Sequence, residues 1–251
     1  MELTKKPLVE AIFEVRWELQ GLNNGMPNDP LYEVLPVLLA RKLKGDFPDH
    51  LRLPSAQIPG MMLPYQPQHQ YRSNGQTWPL VQIGAGVLTV NETDTYQSAT
   101  FLPRCLAVFD KLKSVWNEFE HDPKIVYAGL RYIDAEPLND RKVEDVLGKL
   151  GVTVSLNAPI FKAEFLKGGV GAFMLSTQLQ CSEPRGQVAL SFNRGQKDGE
   201  ESLIWETSVS SEGEDCQQFM SSPGDWLKKA HNSNHEIFFS MIDGNLLEKF
   251  R

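Results

Sequence analysis

An α+β fold of two related halves is the architecture this sequence predicts, from three observations. First, Val9, Ala11, Phe13, Val15 and Trp17 alternate with Glu10, Glu14 and Arg16, the period of a strand with one buried face. A weaker echo runs from Lys124 to Tyr132 and again ends in arginine plus an aromatic. Second, each of these strands leads into a helix and then a series of short apolar segments broken by glycine and proline. Third, each half closes on a long amphipathic helix. The expected halves are 1–122 and 123–251, each an antiparallel sheet with helices on one face. The alternative is one continuous domain, a single curved sheet gripping both long helices.

In the first half, Asp29-Pro30 reads as an N-cap followed by a proline at the first helical position. Leu31, Val34, Leu35, Leu38, Leu39 and Leu43 then supply a helical stripe that ends at Gly45, kinked or begun at Pro36. Residues 47–76 are proline-rich and irregular, with a strand expected around Met61–Tyr65. Trp78 to Asn91 predicts a hairpin or bent strand, in which Gly84 and Gly86 permit a bend or a close backbone approach. Tyr96–Phe119 predicts the first long helix, with Leu102, Leu106, Phe109, Leu112, Trp116 and Phe119 on its apolar face and Pro103 interrupting its first turns.

The second half predicts a strand over Ile125–Asp134 and a short helix over Asp140–Leu150. Strands follow at Val152–Ser155, Ala163–Leu166, Ala172–Cys181, Gln187–Asn193 and Ser202–Ser210. Gly168 to Gly171 is a turn between strands, and Arg194 to Gly199 a loop tip. The last long helix runs from Pro223 to about Met241, with Ser222 and Asp225 in capping-box spacing, before a short turn to Phe250.

Composition narrows the function classes. The net charge of -7 disfavours a sequence-independent grip on nucleic acid, which rests on clustered Lys and Arg. The basic runs at Arg41–Lys44 and Lys111–Lys113 read as solvated helix faces. No apolar run approaches the roughly twenty residues of a membrane span, and the N-terminus carries no signal-peptide pattern. Three cysteines without CxxC spacing predict reduced thiols in a cytoplasm.

Four blocks carry a resemblance: Pro7 to Trp17, Trp78 to Gly84 with Leu88 to Asn91, Gly129 to Ile133, and Trp226 to His231. Together they resemble a sporadically distributed bacterial family of uncharacterised proteins of about this length. The resemblance implies a soluble bacterial protein encoded by patchily held genes, a distribution that fits defence-type multi-gene systems. It implies no activity, cofactor or catalytic residue.

Six residues stand out as a candidate functional surface: Glu10, Glu14, Arg16, Arg131, His231 and His235. Glu10, Glu14 and Arg16 share one strand face, successive positions of which lie about 7 Å apart, and are candidates for acid–base chemistry or, with Arg131, for holding an anion. The plainer alternative is that Arg16 pairs with a carboxylate across the sheet. His231 and His235 lie one helical turn apart and can face one metal. The glutamate follows the second histidine, so HExxH is absent, and the expectation is no metal and a hydrogen-bonded histidine at the core edge. Asn234 falls near the centre of that helix's apolar face. Gly84-Ala85-Gly86 lacks the lysine and helix start of a phosphate loop, GxSxG is missing, and no cofactor is expected.

The leading expectation is a cytoplasmic, non-enzymatic interaction protein with protein partners or self-association. A small-ligand binder, with its cavity between a curved sheet and the long helices, is the alternative. A hydrolase using Glu10, Glu14 or His231 is the third reading.

Overall fold

The computed structural model describes residues 3–21, 25–93, 95–155 and 172–251. The expected strands at Ala163–Leu166 and the turn at Gly168–Gly171 lie outside the described residues. Among the described residues, nine strands form one antiparallel sheet in the order β4-β5-β6-β7-β1-β8-β11-β10-β9. They are β1 (Leu8–Trp17), β4 (Asp49–Arg52), β5 (His69–Arg72), β6 (Leu80–Gly84), β7 (Val87–Glu92), β8 (Ile125–Pro137), β9 (Met174–Ser182), β10 (Arg185–Lys197) and β11 (Glu200–Glu212). A two-residue ladder, β2 (Gln20–Gly21) with β3 (Pro27–Asn28), stands apart. The helices are α1 (Leu35–Leu43), α2 (Ser98–Glu118), α3 (Val143–Lys149), α4 (Cys216–Ser221), α5 (Pro223–Met241) and α6 (Asn245–Phe250). The fold is therefore α+β, and the nine strands of the large sheet are continuous because β1 pairs with both β7 and β8.

Alternation along β1 places Ala11, Phe13, Val15 and Trp17 on the helix-covered face, all essentially buried. They pack with Leu35, Leu39 and Leu43 of α1, Phe101 to Trp116 of α2, Phe219 of α4 and Trp226 to Ala230 of α5. A second core gathers α3, α6, Leu138, Phe192, Leu203 and Trp205. Thr207 separates Trp205, in the second core, from Val209, in the first, along the same face of β11. That seam positions the site.

Several local expectations are corrected. Asp29 caps no helix: its carboxylate accepts from Trp17 Nε1 at 3.0 Å, Gly86 N at 3.1 Å and Leu31 N at 3.2 Å, and α1 begins at Leu35 with Pro36 in its first turn. Residues 61–65 form no strand, since Pro59 and Pro64 remove N–H donors and Gly60–Met62 closes a 3-10 turn. Residues 152–155 are not a strand either. Gly151, at φ 72, closes α3, and Val152 N bonds back to Leu147 O at 2.9 Å. That helix starts at Val143 rather than near Asp140.

The buried stripe of α2 is rotated toward Phe101, Cys105, Val108 and Val115, which leaves Phe119 exposed, and Pro103 sits inside a continuous helix. β10 continues through Arg194 to Lys197, paired with β11, so their turn is only Asp198-Gly199, both at positive φ, the geometry of a type I′ hairpin. Ser222 precedes α5 without a side-chain capping bond, because α4 ends at Ser221 and Ser222 N still bonds to Gln218 O at 3.2 Å. The irregular stretch before Gln76 does hold two short strands, β4 and β5.

Candidate ligand-binding site

The floor of the site comes from two neighbouring strands. Along β8, Leu130, Tyr132 and Asp134 share the helix-covered face, and β11 adds Thr207 opposite Tyr132. α5 forms one wall with His231, Asn234, His235, Phe238 and Phe239. Tyr96 and the first turn of α2, Gln97 to Ala99, form the other, and Leu3, Lys6, Pro7 and Leu8 border the mouth. Together they enclose about 600 Å³, the size of a drug-like ligand pocket.

One side of this cavity is a closed hydrogen-bond chain. Tyr96 Oη lies 3.0 Å from Tyr132 Oη, which lies 2.9 Å from His231 Nδ1, and Lys6 Nζ donates to the Tyr96 carbonyl at 2.8 Å. Burial pushes both phenols up and both histidines, His231 and His235, down, so these four rings are neutral near pH 7. His235 also packs against Phe239, ring centroids 4.5 Å apart.

The other side is unfinished. Asp134 Oδ2, Thr207 Oγ1 and Asn234 Oδ1 are buried and have no hydrogen-bond partner among the described residues. Asn234 Nδ2 is committed, donating to Leu130 O at 3.0 Å and Ala230 O at 3.1 Å, so its oxygen is the atom left over. Burial raises the Asp134 carboxyl to about 8, with Lys197 opposing only in part. Each unpartnered buried group costs about 1–3 kcal/mol, and three around one cavity is a poor way to build a core.

The predicted surface divides between the two sides of the sheet. Glu10, Glu14, Arg16 and Arg131 lie on the face away from the helices. There Asn91 Nδ2 donates to Glu10 at 2.7 Å, Arg16 pairs with Glu14 two residues away along β1, and Arg131 Nη1 lies 3.8 Å from Glu206 across the strands. Arg16 also sits over the Tyr127 ring at 4.8 Å. His231 and His235 alone reach the cavity. No three His, Cys, Asp or Glu side chains gather as a metal site among the described residues. Asp134, Tyr132, Thr207 and Tyr96 went unread in the sequence. The available signal was phase: in Leu130, Tyr132, Asp134 and Glu136 two carboxylates enter the apolar register of a strand.

No protein-family model matches the chain, and no curated protein matches it.

Proposed function

We propose that this chain binds a small organic molecule in the cavity between β8, β11, α2 and α5. The observation that carries the reading is a largely apolar cavity lined by Asp134, Thr207 and Asn234, each holding a buried polar atom that has no partner among the described residues. Native mass spectrometry of the protein purified from its own host tests it. A stoichiometric small-molecule adduct is expected, and Ala99→Trp, which fills the mouth from an exposed position, removes the adduct without lowering Tm. An adduct unchanged by Ala99→Trp, or its absence from the unaltered protein, counts against the reading.

A protein partner is the second reading, favoured by β9 at one edge of the sheet. This strand leaves Met174 81% and Leu179 57% exposed beside polar neighbours. We also propose that 1–122 and 123–251 are related halves. Strand order supports this: β1 and β8 are central neighbours, and each is flanked outward by the last strand of its own half, β7 and β11. The bacterial family resemblance, a cytoplasmic location and a role in a defence-type system belong to the same proposal, and gene neighbourhood tests them.

A further inference from the structure

The ligand's chemistry follows from which atoms are left without partners. Asn234 Oδ1 is fixed as an acceptor, because exchanging the amide atoms would set an oxygen against the carbonyls of Leu130 and Ala230. Thr207 Oγ1 can accept, and Asp134 Oδ2 accepts whenever the carboxyl is ionised. With the Asp134 carboxyl ionised, all three atoms can accept, so a hydrogen-bond donor completes this floor. An ionised carboxylate buried against apolar walls is costly unless a cation meets it, and in such surroundings the pair is held strongly. Aromatic faces nearby, Tyr96, Tyr132 and Phe239, also attract a cation.

Resting on the reading of this cavity as a ligand site, we propose that it takes an organic cation. A protonated amine donates to Asp134, Asn234 and Thr207, and an aromatic or aliphatic body lies against Phe238, Phe239 and Leu8. The other charged or titratable groups around Asp134 leave that role open. His231 and His235 on α5 are held neutral by burial. Lys6 of the N-terminal segment is bonded to the Tyr96 carbonyl, and Glu92 at the end of β7 is paired with Arg104 of α2. Cys105 of α2 and the phenols of Tyr96 and Tyr132 stay protonated. Lys197 at the end of β10 is the cation felt by Asp134, and it leaves the carboxyl at about 8. Binding an ammonium group therefore expels the Asp134 proton to solvent. Affinity rises about tenfold per pH unit below about pH 8 and flattens above it.

Three probes that share one indole body and differ in the head group test the proposal: tryptamine, indole-3-ethanol and indole-3-acetate. Calorimetry on the full chain, in buffers of different ionisation enthalpy, reads affinity and proton release together. Tryptamine is expected to bind at least tenfold more tightly than the alcohol, releasing close to one proton at pH 6.5 and less than half of one at pH 8.5. Asp134→Asn abolishes the proton release and weakens tryptamine at least tenfold. Thr207→Val, which keeps the carboxyl, weakens tryptamine several-fold and preserves the release, so the test survives should Asp134→Asn fold poorly. Tighter binding of indole-3-acetate, taken by Lys6 and the first turn of α2, overturns the cation and leaves the cavity reading intact. So does tryptamine binding without proton release. Binding by none of the three overturns the cation with this body, whereas the host adduct judges the cavity itself.

Discussion

Asp134 and the histidines pull the pH dependence of stability in opposite directions. Asp134 holds its proton to about pH 8 in the folded chain, while an unfolded aspartate loses it near 4. The folded state therefore binds more protons across that window, and this contribution to stability falls as pH rises from about 4 to about 8. His69 behaves conversely. Burial, with His50 and Arg52 beside it, pushes it down to about 4, and His50, 3.0 Å away, is lowered as well. Unfolded histidines take up protons near 6.5, so this contribution rises with pH between about 4 and 6.5. Asp134→Asn removes the first effect only. Thermal unfolding followed by circular dichroism should show the variant gaining on the unaltered protein from pH 5 to pH 9, by on the order of a few kcal/mol at the alkaline end. A pH-independent gap contradicts the buried, proton-holding carboxyl.

At the scale of elements, the β6–β7 hairpin shows how much a backbone position can be read from sequence. Gly84 and Gly86 stand out as bend or close-approach residues, and both are. A Cβ on Gly84 would lie 1.9 Å from the Gln66 carbonyl oxygen, and Gly86 takes φ +77 in the two-residue turn Ala85-Gly86. Gly84→Ala should destabilise by about 2 kcal/mol or more, since backbone rather than a flexible side chain must move. Gly148→Ala, in α3 with nothing within 4 Å, should stabilise by about 0.5–1 kcal/mol. Urea titration of the two variants checks the contrast, and equal effects would mean that Gly84 is not pressed against Gln66. Long elements with a clear period were legible, as α5 and β8 show. Short ones were not: β4 and β5 are four residues each, α4 is six, and segments of that length carry too little period to separate from proline-rich loop.

For the molecule as a whole, what sequence could not supply was pairing. Joining β1 to β8 spans more than a hundred residues of chain, and nothing in either strand alone specifies it. Without that pairing the helix-covered face of the sheet is invisible, and so is the seam where two cores meet at Thr207 and Asp134. The same gap explains why the charged face of β1 attracted notice. Glu10, Glu14 and Arg16 are conspicuous in sequence and locally partnered in the fold, whereas Asp134 is inconspicuous and its Oδ2 has no partner among the described residues. The direct measurement is NMR titration of the carboxyl carbon of Asp134, assigned through Asp134→Asn, in protein stripped by unfolding and refolding and in protein taken from its host. A midpoint near 8 in the stripped chain, displaced when the cavity is filled, is the expected result. An ordinary aspartate midpoint near 4 in both samples would contradict a ligand-receiving carboxyl at the seam.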